Sequence, residues 1–184
     1  MLIIPPLKEK RMAHCISVAK LAYDLALVHG CDAMSAYLCG IFHDIARELS
    51  PERMLKEAEK RNIFIGEEEH QSPLLLHGDL AAAVMKENYG ITDETMLNAV
   101  RRHTVGNETM TLLDKILFIA DKVEPLRSYE GIEELRASAF SDLDRALLKT
   151  VEEELIYGEK HGYPPHPKTL ALKNRLMKEG VNPQ

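Results

Sequence analysis

Apolar residues recur at intervals of three and four along most of the chain, which is the spacing of one face of an α-helix. In the first long segment, from about Lys8 to His29, the pattern is followed by Gly30, and glycine commonly closes a helix. The only short strand candidate is the segment IFIG at Ile63–Gly66. The pattern therefore predicts an all-α fold.

Capping residues predict where the other helices begin. Ser50-Pro51 and Ser72-Pro73 each combine an N-cap side chain with a proline at the first helical position. We expect a surface loop at the acidic segment Ile63–Gln71, and one compact helical bundle over residues 1–184. The remaining predicted helices run from Asp32 to about Ala46, from Thr92 through ETMLNAVRRH, from Thr111 to near Pro125, from Asp142 to Glu159, and from about Lys168 to Lys178 before Gly180.

Composition narrows the class of protein. The net charge of −6 argues against a bulk nucleic-acid binder, so an anionic ligand requires local Arg and Lys residues. The three cysteines, Cys15, Cys31 and Cys39, form no C-x-x-C pair, which indicates reduced thiols and a cytoplasmic location. No apolar run reaches the ~20 residues of a membrane span, and the apolar stretch at the start is too short for a signal peptide.

The dipeptide His43-Asp44 lies within the apolar segment LCGIFHDIA. A buried carboxylate needs a cation, a metal or hydrogen-bond donors, because burying an unpaired charge is costly. One interpretation is a buried His–Asp hydrogen bond that joins two helices. The alternative is a metal site. The positions of the other His and Asp residues in the sequence help to distinguish the two interpretations.

Four further ligand-type residues favour the metal site. His14, His77, His103 and Asp121 lie on apolar faces of four other predicted helices. So many polar residues on buried faces indicate convergence on one polar centre. Imidazole nitrogens and carboxylate oxygens without a thiolate suit Mn, Fe, Co or Zn in a hydrolytic role.

The order of these residues resembles that of the HD-domain metal phosphohydrolases. Longer motifs are similar to those of the YqeK family of bacterial HD-domain proteins, which are described as symmetrical bis(5′-nucleosyl)-tetraphosphatases. The motifs are RMAH at 11–14, FHDIA at 42–46, LLHG at 75–78, RRHTVG at 101–106, ADKVEPLR at 120–127 and HPKTL at 166–170.

The resemblance implies a compact HD-domain helical bundle that hydrolyses diadenosine tetraphosphate to two ADP. It also implies a divalent transition metal, with iron as the expected ion and Mn, Co or Zn as alternatives. The implied metal ligands are His14, His43, Asp44 and Asp121. The implied substrate contacts are Arg11, His14, Asp44, His77, His103, Thr104, Asp121, Arg127, Pro167, Lys168, Thr169, Leu170, Ala171 and Leu172.

We assign catalytic roles to Asp44, His77 and His103. Asp44 would ligate the metal and orient a water, and the two histidines would donate protons to the leaving phosphate or ligate a second metal. Arg127 matches phosphate oxygens, although spacing alone also allows a surface ion pair for Arg127 and for Arg11.

The expected partner is a dinucleoside polyphosphate or an ADP-like nucleotide, with no nucleic acid and no membrane. The family resemblance and the apolar start LIIPPL also suggest a homodimer. Two alternatives use the same metal residues: an HD phosphohydrolase acting on another nucleotide, and a non-enzymatic nucleotide sensor. Analysis of the products formed from diadenosine tetraphosphate separates them.

Overall fold

The computed structural model describes residues 1–182, which form ten α-helices, one 3₁₀ turn and no strand. The all-α prediction is confirmed. The elements are α1 (Glu9–His29), α2 (Ala33–Phe42), α3 (Pro51–Lys60), α4 (Glu67–Gln71), the 3₁₀ turn (Pro73–Leu76), α5 (His77–Tyr89), α6 (Glu94–Arg102), α7 (Leu112–Val123), α8 (Ile132–Ser141), α9 (Leu143–His161) and α10 (Pro167–Lys178).

Four helices begin at the side chains that the sequence marks: α2 at Asp32, α3 at Ser50, α7 at Thr111 and α9 at Asp142. The Asp32 carboxylate accepts a hydrogen bond from the Ser35 N–H at 2.6 Å, and Asp142 caps α9 in the same way. Thr111 and Asp114 form a reciprocal capping box at the start of α7. Gly30 closes α1 with a φ of 74°, in the left-handed region where glycine carries no steric penalty.

Helix α2 is shorter than predicted, because it ends at Phe42 instead of about Ala46. The chain then continues through turns, in which the Ile45 N–H bonds to the Phe42 carbonyl and the Arg47 N–H to the Asp44 carbonyl. His43 and Asp44 therefore lie just beyond the helix end, where backbone carbonyls have no partner within the helix.

Three other local predictions were wrong. Asp93 caps α6 in place of Thr92, because its carboxylate accepts the Thr95 N–H at 2.8 Å. IFIG forms no strand, and the acidic loop contains the short helix α4, which Glu69 stabilises by accepting the Gly66 N–H. Helix α8 was not predicted, since it begins at Gly131 without a side-chain cap.

Helix α7 is the central element of the core. Its residues from Ile116 to Ala120 are fully buried, and α1, α2, α6 and α9 all pack against it. Because most residues of this helix are buried, Asp121 near its end lies in the interior of the bundle.

The apolar start of the chain docks on the bundle. Leu2 is buried, and its backbone exchanges two hydrogen bonds with the Asn88 side chain of α5. The homodimer stays a prediction. Among the described residues, no helix has both the length and the apolar character that crossing a membrane requires.

Helices α1 and α2 approach closely at Gly40. A Cβ atom at this position would lie 2.5 Å from Ala19 Cα and 2.7 Å from Ala19 N. Only glycine fits there without moving the backbone of α1. The contact matters for the site, because α1 carries His14 and α2 ends at His43.

We predict that Gly40→Ala destabilises the protein. The clash is with backbone atoms, so overpacking of about 1–3 kcal/mol should exceed the ~1 kcal/mol that alanine gains in helix propensity. Urea unfolding at a fixed metal content measures the change. Gly158→Ala in α9 is the matched control, since its Cβ would approach no atom closer than 3.3 Å. Equal effects of the two substitutions would contradict a tight crossing at Gly40.

Candidate metal centre

Five helices bring the predicted ligands to one buried place. His14 lies on α1, His43 follows the last residue of α2, His77 begins α5, His103 follows α6, and Asp121 lies on α7. These five residues and Asp44 are at most 8% exposed. The structure thus brings together residues that are separated by up to 107 positions in the sequence.

The four predicted metal ligands form one set of facing atoms. His14 Nε2 lies 2.9 Å from Asp121 Oδ1 and 3.3 Å from His43 Nε2. His43 Nε2 lies 3.6 Å from Asp44 Oδ2 and 3.7 Å from Asp121 Oδ1. The Nε2 atoms of His14 and His43 thus each lie within 4 Å of an oxygen of Asp44 and of Asp121.

The second oxygen of Asp44 faces a second set of donors. Asp44 Oδ1 lies 3.2 Å from His77 Nε2 and 3.9 Å from His103 Nε2. The two histidine nitrogens are 3.0 Å apart, and the Thr104 hydroxyl lies within 3.4 Å of both. Asp44 is thus shared between the two sets, one oxygen to each.

All four imidazoles are anchored through Nδ1. In three of them this nitrogen donates to the backbone carbonyl three residues earlier: His43 to Gly40 at 2.7 Å, His77 to Leu74 at 2.5 Å and His103 to Val100 at 2.6 Å. His14 lies within α1, where the neighbouring backbone carbonyls already accept hydrogen bonds of the helix. Its Nδ1 instead faces Glu124 Oε1 at 3.1 Å. In the neutral imidazole that this anchoring favours, Nε2 is the nitrogen with the lone pair, and it faces the site.

A second glycine, Gly78, allows His77 and His103 to lie close together. A Cβ atom at Gly78 would lie 2.9 Å from the Val100 carbonyl oxygen and 3.4 Å from His103 Cε1. The start of α5 and the end of α6 touch only because this side chain is absent.

The electrostatics keep the carboxylates ionised and His77 and His103 neutral. Burial alone would raise the pKa of Asp44, but the adjacent His77 and His43 side chains hold it well below its usual range. Lys122 and His14 lower the pKa of Asp121 in the same way, against the effect of burial. Burial lowers the pKa of His77 and of His103.

Such a set of donors fits a divalent transition metal. The Nε2 atoms of His14 and His43 face each other, and carboxylate oxygens of Asp121 and Asp44 lie beside them. Nitrogen and oxygen ligands without a thiolate match Mn, Fe, Co or Zn in a hydrolytic site. Glu124 resembles the outer carboxylate that commonly orients a ligating histidine.

Cations surround a cavity of ≈ 110 Å³ beside the metal ligands. Arg11 contacts Asp44 Oδ2 at 2.6 Å, and Lys122 contacts Asp121 Oδ2 at 2.9 Å. The cavity is lined by Arg11, Asp44, Arg47, His77, His103, Thr104, Asp121, Lys122 and Arg127. A polar cavity with four cations suits a ligand that carries several negative charges.

The segment Pro167–Leu172 is not part of this cavity lining. It forms the start of α10, where Leu172 is buried in the core and the Thr169 hydroxyl donates to the Val105 carbonyl at 2.8 Å. The segment therefore contacts the loop that carries Thr104, and it reaches the site only through that loop.

Sequence reasoning assigned no role to Glu124, Lys122 or Arg47, although all three contact site residues. Each lies within three positions of Asp44 or Asp121. Because residues three apart share one face of a helical turn, spacing from the predicted ligands was the signal that pointed to Glu124 and Arg47. Lys122 is adjacent in sequence to Asp121 and carries no such signal.

Comparison with known proteins places the chain in a family. The HD domain family matches residues 11–126. A solved structure from Clostridium acetobutylicum, described as a predicted HD superfamily hydrolase involved in NAD metabolism, superposes with a TM-score of 0.91 at 35% identity, covering 94% of this chain and 92% of the other.

Two curated relatives named bis(5′-nucleosyl)-tetraphosphatase, symmetrical, match over nearly the whole chain. The protein from Halalkalibacterium halodurans is 38% identical over 97% of this chain and 95% of its own. The protein from Bacillus subtilis is 33% identical over 93% of this chain and 91% of its own. The chain therefore belongs to the HD-domain family and, within it, to the family of the symmetrical bis(5′-nucleosyl)-tetraphosphatases.

Proposed function

We propose that this protein is a metal-dependent hydrolase that cleaves diadenosine tetraphosphate symmetrically to two ADP. The observation that carries the proposal is the buried cluster of His14, His43, Asp44 and Asp121 beside a cavity lined by four cations. The names of the full-length relatives support the same activity. Neither another nucleotide substrate nor a sensor role has comparable support.

His14, His43, Asp44 and Asp121 would hold the metal, and iron is the ion we propose. A bound divalent metal neutralises phosphate oxygens and lowers the pKa of a water molecule. The chain fixes the ligands before any substrate arrives, because Nδ1 of each histidine is already bonded and both carboxylates are ionised. Little reorganisation is then required during the reaction.

His77 and His103 lie beside Oδ1 of Asp44. Their Nε2 atoms carry lone pairs, since both Nδ1 atoms donate to carbonyls and burial lowers both pKa values. This arrangement supports a role as ligands of a second metal, or as acceptors that orient a water, over a role as resting proton donors. Asp44 would serve both sides through its two oxygens.

Arg11, Thr104 and Arg127 would contact the nucleotide phosphates. Arg127 is 44% exposed and lies 3.5 Å from Asp121 Oδ1, so it is loosely held at the rim and free to bind an incoming anion. Arg11 is held by Asp44 and neutralises charge close to the ligands. Pro167–Leu172 would support Thr104 through the bond from Thr169 to Val105.

The proposal also covers the setting in which the enzyme works. We infer a cytoplasmic location, which agrees with three free cysteines among the described residues. We further infer that residues 1–184 act as one domain and that the protein forms a homodimer. A monomer mass by light scattering at micromolar concentration would contradict the dimer.

We predict that His43→Ala loses the metal. The substitution removes a buried Nε2 donor that faces three other ligand atoms. Elemental analysis after reconstitution with metal should find one or two equivalents of metal per chain in the wild type and clearly less metal in the variant. His70→Ala, an exposed histidine on α4, is the control that should keep the metal. Equal metal content in wild type and His43→Ala would show that the site is misassigned.

We predict that Arg127→Ala keeps the metal but weakens substrate binding. A charge-assisted contact to phosphate contributes about 1.5–3 kcal/mol, and exposure at the rim places the effect near the lower end, so KM should rise roughly tenfold. Steady-state kinetics with diadenosine tetraphosphate measures it. Arg175→Ala on α10 serves as the control for loss of a partly exposed arginine outside the cavity. Unchanged KM and kcat would leave Arg127 as a surface ion pair.

We predict that cleavage occurs at the central phosphoanhydride bond. If Arg127, Arg11 and Thr104 fix one ADP-like half, the ligand cluster lies at the second phosphate from that nucleoside. In ¹⁸O-labelled water, one of the two ADP products should carry one ¹⁸O atom, as read by chromatography and mass spectrometry. ADP should also act as a product inhibitor. Equal amounts of AMP and ATP would overturn the assignment.

A further inference from the structure

Arg47 is a cavity-lining cation with an unusual partner. It lies on the turns after α2, and its Nη1 is 3.0 Å from His77 Nδ1. That nitrogen already faces the Leu74 carbonyl at 2.5 Å and must carry a proton to bond it. The guanidinium therefore meets another donor, which gives its N–H groups no acceptor on this side.

The other cations of the cavity each have a carboxylate partner. Arg11 pairs with Asp44, Lys122 with Asp121 and Glu154, and Arg127 with Asp121. No carboxylate of residues 1–182 forms an ion pair with Arg47. A guanidinium stays charged at any pH of interest, so Arg47 adds to this wall of the cavity a positive charge that no direct ion pair holds.

Arg47 and Arg127 lie at opposite ends of one series of contacts. Arg127 contacts Asp121, which contacts His43, which contacts Asp44. From Asp44 the series continues through His77 to Arg47. Arg47 thus contacts the His77 side of Asp44, whereas Arg127 contacts Asp121, so the two arginines serve different parts of the site, as a dinucleotide presents two phosphate-bearing halves.

We propose that Arg47 binds the phosphate oxygens of the nucleotide half that Arg127 does not hold. The inference rests on the proposed function, and it explains why the site would prefer phosphates on both sides of the cut bond. The planar fork of the guanidinium matches two phosphate oxygens. The alternative is that Arg47 only positions His77.

Binding measurements on the metal-loaded protein test the proposal. One probe is the analogue of diadenosine tetraphosphate with a methylene group in place of the central bridging oxygen, which carries both halves and resists central hydrolysis. The other probe is ADP, which carries one half. Calorimetric titration compares the wild type with Arg47→Met, Arg47→Lys and Arg127→Met. Arg53→Met on α3 is the matched control, because Arg53 bonds the Ile3 carbonyl and lies outside the cavity lining.

Arg47→Met should weaken binding of the analogue on the order of tenfold or more, since a charge-assisted contact is lost. Its affinity for ADP should change less than threefold, whereas Arg127→Met should weaken both probes. Arg47→Lys should recover part of the affinity for the analogue, and Arg53→Met should match the wild type. Metal content and thermal unfolding of Arg47→Met should stay at the wild-type level.

Three results would overturn the proposal. Wild-type affinity of Arg47→Met for the analogue would remove the phosphate contact. Equal weakening of the analogue and ADP would place Arg47 on the same half as Arg127. Loss of metal from both Arg47→Met and Arg47→Lys would assign the residue to positioning of His77.

The outcome is separable from that of the proposed function. A wild type that binds the analogue but hydrolyses no dinucleoside tetraphosphate would refute the activity and still allow the test of Arg47. A wild type that binds neither probe would refute both.

Discussion

The geometry of the site depends on the hydrogen bond that Nδ1 of each imidazole makes. His43, His77 and His103 all lie at helix ends or turns, where a carbonyl three residues earlier is available to accept that proton. His14 lies within a helix, where no such carbonyl is available, and the buried carboxylate of Glu124 takes its place. The same restraint sets the tautomer, the ring orientation and the inward direction of every Nε2 atom. Without it the buried histidines would not form a defined set of ligands.

The rest of the fold serves to hold these restraints together at close range. Gly40 lets the His14 and His43 helices cross, and Gly78 lets the His77 and His103 segments touch. Helix α7, which is largely buried, carries Asp121 to the same place. The site therefore concentrates buried carboxylates, and the fold offsets their charge with Arg11 and with Lys122, which also pairs with Glu154.

The sequence predicted the helical fold and the main residues of the site, because both leave local signals. Helical periodicity and N-caps such as Asp32 and Thr111 are read from neighbouring residues, and polar residues on apolar faces identify His14 and Asp121. Helix α8 has no cap and was missed. Arg47 and Glu124 gave only the weak signal of lying three positions from Asp44 and Asp121, because their contacts depend on which helices meet. Which side of Asp44 each histidine occupies is likewise a property of the three-dimensional packing, and spacing along the chain does not contain it.

We infer that anchoring through Nδ1 makes Nε2 the metal-binding atom of His14 and His43. This can be tested with a crystal structure of the metal-reconstituted protein and an anomalous difference map at the absorption edge of the metal. We expect an anomalous peak at about 2.0–2.2 Å from both Nε2 atoms, with oxygens of Asp44 and Asp121 completing the site. A peak bound through Nδ1, or one located away from these four residues, would contradict it.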